Sequence, residues 1–160
     1  KLLNTNKMAE EKYLKQYEKS ATGNYLLRSR GTLKNIITQG PTAKTFTQEE
    51  SGSVVMVTMT GGDDAVYTLP ALKAGLNFKF INCLTNAGAG DAIITSADAD
   101  TIVAISVADS GADGAKNLLA DTVTIEAAAT GGEVIEFECD GSFWYCTVVQ
   151  DVIGSVTFAG

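Results

Sequence analysis

From residue 51 onward, apolar and polar positions alternate in short runs that are separated by Gly, Asp, Asn and Pro. Alternation with a period of two is typical of strands that bury one face, and many short strands between turn residues indicate an all-β sandwich or barrel. We predict nine strands, at 53–60, 65–69, 76–82, 91–96, 101–107, 122–127, 133–139, 142–149 and 155–158. The sequence therefore predicts a mainly β fold, an antiparallel β-sandwich or jelly-roll-like domain.

Three glycine-containing turns connect predicted strands: Gly61-Gly62-Asp63-Asp64, Gly131-Gly132 and Asp140-Gly141. These residue types tolerate positive φ, which a tight hairpin requires, so we expect adjacent strands often to pair antiparallel. The hairpin around Asp140-Gly141 has the clearest alternation, and it directs Tyr145 away from the core.

The run Val54–Val57 is apolar on both faces of its strand. Such a strand lies centrally in its subunit or beneath another subunit, and we favour burial within one subunit. Val55, Val57 and Tyr145 are the candidates for an oligomer or ligand face. Tyr145 could serve as a platform for a sugar ring, although packing on a neighbouring strand or subunit is the favoured interpretation.

The N-terminal region follows another pattern, since Ala9, Tyr13, Tyr17 and Ala21 recur every four residues. This spacing predicts an amphipathic helix at about 7–20, followed by a mostly extended segment up to residue 50. The predicted organisation is an N-terminal arm at 1–50 and a β-sandwich domain at 51–160. A helix this short is marginal in water, so its apolar stripe needs a partner surface on its own subunit or on a neighbour.

Charge divides the chain in a similar way. Residues 1–44 hold nine Lys/Arg and three Glu, a net charge of +6, whereas the remainder carries −13. A basic arm on an acidic body is typical of attachment to something negative, and packing of the arm against its own body is an equal alternative. Because the acidic body would repel a phosphate backbone, we favour an acidic protein surface over nucleic acid. The residues that we expect to contact this partner are Met8, Tyr13, Leu14, Tyr17, Tyr25, Arg28 and Arg30.

The amino-acid composition argues against several classes of protein and of catalytic or metal site. Histidine is absent, which removes the commonest general base and the imidazole ligand of most zinc sites. A content of 45% hydrophobic and 19% charged residues argues against disorder. No apolar run approaches the roughly 18 residues of a membrane span, and no secretory signal is visible, so we expect a soluble protein without membrane partners.

Three kinds of residue could carry chemistry, and each has a simpler explanation. Cys83, Cys139 and Cys146 lack zinc-site spacing, and we favour buried free thiols over a disulfide or a nucleophile. The loop carboxylates could bind Ca²⁺ or form a glycosidase pair, but solvated turn residues are favoured. They are Asp63, Asp64, Asp98, Asp100, Asp109 and Asp113. The segment 87–90 lacks the residues of a phosphate-binding loop. We predict no catalytic residue, metal or cofactor.

Two segments resemble β modules of tailed-bacteriophage virion proteins, which occur in head-decoration and fibre proteins. They are YTLPALKAGLNFKFI at 67–81 and GEVIEFECDGSFWY at 132–145. The resemblance spans about 65–149 and excludes the arm. It implies a structural virion protein that is assembled as a homotrimer, and it brings no catalytic residues.

The resulting hypothesis is a non-enzymatic capsid decoration or cement protein. It would be made in the host cytoplasm and would bind the major capsid protein, or another virion protein, through its N-terminal arm. The alternative is a fibre or adhesin module that binds host glycans. A carboxylate-based glycan hydrolase is the third possibility, and it rests only on the abundance of Asp and Glu.

Overall fold

The computed structural model describes residues 17–19, 25–27, 35–83, 90–110 and 116–160, with side chains at 35–83, 90–107 and 119–160. The chain divides into two compact units, residues 1–34 and residues 35–160. The boundary lies at 34/35, whereas the sequence analysis placed it at 50/51.

In the first unit, strands β1 (Tyr17–Lys19) and β2 (Tyr25–Leu27) pair antiparallel, with Tyr17 opposite Leu27. The predicted helix at 7–20 is therefore wrong over residues 17–19, and the described residues of this unit contain no helix. Its other residues lie outside the described part of the chain. The pattern misled because a spacing of four residues aligns side chains on one face of a strand as well as on one face of a helix.

The second unit contains twelve strands and one 3₁₀ helix, Gln48–Glu50, among its described residues. All nine predicted strands are present, and β3, β4 and β10 are additional. The strands are β3 (Ile36–Gln39), β4 (Lys44–Thr45), β5 (Val54–Val57), β6 (Ala65–Thr68), β7 (Asn77–Asn82), β8 (Ala92–Thr95), β9 (Ile102–Ser110), β10 (Lys116–Ala120), β11 (Thr122–Ile125), β12 (Val134–Cys139), β13 (Trp144–Val152) and β14 (Val156–Ala159). Among the described residues there is no helix long and apolar enough to cross a membrane.

These strands form two mixed sheets, consistent with a β-sandwich. The seven-stranded sheet has the order β10-β9-β13-β12-β7-β5-β3, and the five-stranded sheet has the order β14-β11-β8-β6-β4. From β3 to β8 the chain alternates between the sheets, so strands that become neighbours within one sheet run parallel. The parallel pairs are β3–β5, β5–β7, β4–β6, β6–β8 and β9–β13. The other five pairs among the described strands of this unit are antiparallel, so the prediction of an antiparallel sandwich is correct only in part.

The glycine turns explain part of this difference. Gly61, Gly131, Gly132 and Gly141 all have positive φ, as their turn assignments require. Only the turn at Gly141 closes a hairpin, between β12 and β13. The turn at Gly61 leads from β5 to β6, and the turn at Gly131-Gly132 leads from β11 to β12, so both carry the chain from one sheet to the other.

The core lies between the sheets and is rich in aromatic side chains. The rings of Phe80 and Phe137 meet edge to face with centroids 5.8 Å apart, and Trp144 contacts Phe137 at 6.3 Å. Ile135, Phe137 and Cys139 on β12, and Trp144, Cys146 and Val148 on β13, are buried in the predicted alternation. Val55 and Val57 are buried in the same core, so their burial is complete within one chain.

Residues 36–50 belong to this unit although the sequence analysis assigned them to the arm. Phe46 is 1% exposed and its ring lies 5.4 Å from that of Phe78. Lys44 lies over the Phe46 ring and forms an ion pair with Glu50 at 2.9 Å. This segment is therefore part of the sandwich.

Candidate functional site

The outer face of the seven-stranded sheet carries a row of apolar side chains that crosses five neighbouring strands. Alternate residues of each strand point away from the core, and the strand register aligns Val107 with Val149, Val149 with Val134, Val134 with Ile81 and Ile81 with Met56. Val107 and Val149 are 56% and 52% exposed, and the other three are partly exposed. We call these five residues the apolar row.

A second row runs beside it and carries charge. In it, Ile105, Thr147, Glu136, Lys79, Val54 and Ile36 occupy successive strands from β9 to β3. The Lys79 Nζ lies 2.8 Å from the Glu136 carboxylate, and both side chains are partly exposed. Ile105 and Ile36, near the two ends of this row, are both about half exposed. We call these six residues the charged row.

A third row includes Tyr145 and Glu138, which are aligned across β13 and β12. Tyr145 is 47% exposed, which confirms the prediction that it points away from the core. Its hydroxyl donates to Asp140 Oδ2 at 3.1 Å. This contact and the negative charge of Asp140 raise the pKa of Tyr145.

Asp140 holds the turn of the β12–β13 hairpin. Its Oδ1 accepts hydrogen bonds from the backbone N–H groups of Phe143 and Ser142 at 2.8 and 2.7 Å. These bonds stabilise the carboxylate and lower the pKa of Asp140, and the Tyr145 hydroxyl adds to the effect. Asp140 therefore fixes both the turn and the hydroxyl of Tyr145.

The outer face of the five-stranded sheet has a different composition. The register aligns Thr122 with Thr95, Thr95 with Thr68 and Thr68 with Thr45, which forms a row of four threonines. The Thr95 hydroxyl lies 3.2 Å from the carbonyl oxygens of Ser96 and Asp121, to which it can donate. We call these four residues the threonine row.

Three carboxylates in loops and at strand ends accept hydrogen bonds from backbone N–H groups, and Asp64 is the one of them that was named from the sequence. Asp64 accepts from the N–H of Asp91 at 2.9 Å, Asp91 accepts from that of Ala127 at 2.7 Å, and Asp121 accepts from that of Asp100 at 2.6 Å. No group of three or more potential metal ligands occurs within the residues that the structure describes. These contacts support turn stabilisation. The side chains of Asp109 and Asp113 lie outside the described residues.

A buried carboxylate that the sequence analysis missed lies beside the Gly131-Gly132 turn. Glu133 is 1% exposed and accepts hydrogen bonds from Asn82 Nδ2 at 2.8 Å and from the N–H groups of Thr130 and Gly131 at 3.2 and 3.1 Å. The Glu-Val-Ile-Glu-Phe alternation pointed Glu133 inward, because residues 135 and 137 are core positions. Glu133 thus fixes the segment that crosses between the sheets.

The cysteines are free thiols. Cys139 and Cys146 are buried on β12 and β13, where they lie opposite Trp144 and Phe137 and not opposite each other. Burial raises the pKa of Cys146, so this thiol resists ionisation. Cys83 is partly exposed, and its burial also raises its pKa. These features support the prediction of free thiols.

The predicted partner-binding residues of the N-terminal region lie in the first unit. Tyr17 and Tyr25 are the first residues of β1 and β2, and the structure does not describe their side chains. Met8, Tyr13, Leu14, Arg28 and Arg30 lie outside the described residues. Their contact with a partner stays a prediction. Val55 and Val57, the predicted oligomer face, have no exposed surface, and the partly exposed residue of β5 is Met56 of the apolar row.

Comparison of the sequence with models of known protein families finds no match, and comparison with curated proteins finds none either.

Proposed function

We propose that this chain is a non-enzymatic structural protein of a virion, which decorates or cements the capsid surface. Its partner in this proposal is the major capsid protein or another virion protein, which the first unit binds. The association favours the assembled shell, because a ligand that prefers the assembled state shifts the equilibrium towards it.

The observation that carries the proposal is the division of charge between the two units. Residues 1–34 hold eight Lys/Arg and three Glu, a net charge of +5, whereas residues 35–160 hold four Lys and sixteen Asp/Glu, a net charge of −12. A basic unit joined to an acidic β-sandwich suits attachment to an acidic protein surface through the basic unit, with the sandwich repelled from that surface.

The outer sheet faces of the second unit also support binding to protein. They present rows of side chains across five strands of one sheet and four of the other, and the carboxylates of Asp64 and Asp91 cap backbone groups. The jelly-roll-like connectivity implied by the resemblance is a further part of the proposal, and an experimental structure of the particle would test it.

The deciding experiment is quantitative mass spectrometry of purified particles from the source, which gives the ratio of this chain to the major shell protein. A decoration or cement protein should be present at a ratio near unity or at a simple fraction of it. Absence of the chain from the particle would refute the proposal.

A rebinding assay tests the anchor. We expect Arg28→Glu in the full chain to weaken binding to particles stripped of this protein, because it reverses a charge in the basic unit. Lys73→Glu is the matched control, since Lys73 is an exposed base of the second unit. Equal loss of binding with both variants would contradict an anchor in the first unit.

The alternative function is a fibre or adhesin module that binds host glycans, and the exposure of Tyr145 favours it. An aromatic ring on an open strand can stack on a sugar ring, and Asp140 and Glu138 lie near enough in the hairpin to accept hydrogen bonds from sugar hydroxyls. A glycan array that gives a signal with the natural protein and none with Tyr145→Ala would support this function. A blank array would count against it.

A further inference from the structure

The apolar row has no explanation within the second unit. Val107 and Val149 are more than half exposed, and both are aligned with further apolar side chains on neighbouring strands. Threonine would supply the same β-branched strand preference with a hydroxyl for water, as the threonine row of the other sheet shows. Apolar residues in register on a sheet face are typical of a face that packs on another protein surface.

We propose that the outer face of the seven-stranded sheet binds the same face of a second copy of this chain, about a two-fold axis. The axis runs parallel to the strands and passes between β12 and β7. This inference does not depend on the virion function proposed above. It differs from the homotrimer that the family resemblance implies.

The strand order supports this axis. Three strands on each side of it have a counterpart at the same distance on the other side, and β10 at the edge has none. Rotation places β12 over β7, β13 over β5 and β9 over β3 of the second copy. Six strands at a spacing of about 4.8 Å span roughly 24 Å from the first to the last. Stacked sheets pack about 10 Å apart, and because each sheet twists, the contacts nearest the axis are the closest.

Two of the three pairs that meet across the axis in the apolar row are apolar, and in the third Val107 meets Thr38 of β3. In the apolar row, Val134 meets Ile81 of the second copy, and Val149 meets Met56. A closed two-fold interface repeats each contact, so each of these pairs occurs twice.

The charged row gives the strongest argument for a second copy as the occupant. The rotation places Glu136 of one copy against Lys79 of the other, and Lys79 against Glu136, so two attractive pairs form across the axis. In the same row Ile105 meets Ile36, and both are about half exposed. This face is therefore complementary to itself in charge and in apolar character.

The first test is the mass of the 160-residue chain in solution by sedimentation equilibrium and native mass spectrometry. We expect a dimer that Val149→Lys weakens by about a hundredfold, because the substitution places a lysine in the interface twice. Val66→Lys is the matched control, since Val66 is a valine that is 41% exposed on the outer face of the five-stranded sheet. It should leave the dimer intact, and circular dichroism should show that both variants are folded.

Several outcomes would overturn the proposal. A monomer throughout the accessible concentration range would show that this face does not bind a second copy, whether it is open or covered by another part of the chain. A trimer would require a different interface. A dimer that survives Val149→Lys, or that Val66→Lys disrupts equally, would place the interface elsewhere.

A charge exchange tests the axis itself. Lys79→Glu alone and Glu136→Lys alone should each weaken the dimer, because each places like charges across the axis. A mixture of the two variants should form a heterodimer, since every charge of one variant then meets its opposite on the other, while the pairs within each chain stay repulsive. A mixture that associates no better than the separate variants would refute the axis between β12 and β7.

Discussion

The outer faces of the two sheets are built from the same backbone arrangement but carry different side chains. The five-stranded sheet presents the threonine row, and the seven-stranded sheet presents the apolar row at equivalent, outward positions. All of these residues except Met56 are β-branched and favour strands, so strand formation alone requires neither choice. The five-stranded face also carries Val66 and Ile93, which are aligned on β6 and β8, so the two faces differ in the extent of their apolar surface. The longer apolar row, across five strands, favours the seven-stranded face as the one that has a partner.

The inner faces of the two sheets, in contrast, should contribute similarly to the free energy of unfolding. We expect Phe80→Ala on β7 and Ile94→Ala on β8 each to lower the free energy of unfolding by about 3–5 kcal/mol, since each removes a side chain with no exposed surface from the shared core. Urea denaturation at one protein concentration measures both. A loss confined to one sheet would show that the two sheets unfold separately.

Gly90 lies between β7 and β8, in the part of the chain that leads from one sheet to the other, and we expect substitutions there to destabilise the protein. A Cβ at this residue would lie 2.1 Å from the carbonyl oxygen of Asp63, a backbone atom. We expect Gly90→Ala to destabilise the protein by roughly 1–3 kcal/mol or more in urea denaturation. Gly62→Ala is the control, because a Cβ there meets no atom within 4 Å. Similar effects of the two substitutions would contradict the close approach of residues 63 and 90.

Substitution of valine for one threonine on each outer sheet face should affect stability on one face and self-association on the other. Thr95→Val deletes the donor to the carbonyl groups of Ser96 and Asp121, so we expect a loss of about 1 kcal/mol in the free energy of unfolding. Thr147→Val extends the apolar surface of the seven-stranded sheet, so its effect on stability should stay within about 0.5 kcal/mol while self-association strengthens. Urea denaturation and sedimentation equilibrium measure the two effects. Equal destabilisation by both would remove the distinction between the faces.

The smallest effect is the pH dependence of the β12–β13 hairpin. Because the folded pKa of Asp140 is lowered, its carboxylate stabilises the fold above the ordinary Asp pKa of about 3.9, and this contribution is lost as pH falls through the lower folded pKa. We expect the melting temperature of the natural protein to exceed that of Asp140→Asn at pH 7, and the difference to vanish at low pH. A difference that grows on acidification would contradict the assignment.

The sequence predicts most strands of the sandwich because each has one face in the core. The prediction fails where the hydrophobic pattern is too short to show a period, or where one pattern is compatible with two different structures. β4 contains two residues, and Phe46 is a single buried side chain within polar surroundings, so neither produces a period. Glycines with positive φ suit hairpins and passages between sheets alike, which is why the antiparallel prediction is wrong at Gly61.

The candidate site was less accessible to sequence reasoning. The outward direction of Tyr145 follows from alternation within one strand. The apolar row does not, because it depends on which strands are neighbours and in which register. Val107 and Met56 lie 51 positions apart in sequence, yet they occupy one row through β13, β12 and β7. Parallel pairs between distant strands leave no local signal.

The position of the β12–β13 hairpin has a consequence for how the chain folds. The hairpin lies between β9 and β7, so the seven-stranded sheet consists of two parts that join only when its late strands arrive. Before residues 134–152 leave the ribosome, the edges of β7 and β9 lack their final partners, and unpaired edges invite aggregation. Pairing between strands distant in sequence is also slow. We therefore expect the second unit to fold only after residues 134–152 have left the ribosome, and chains that end before β12 to aggregate.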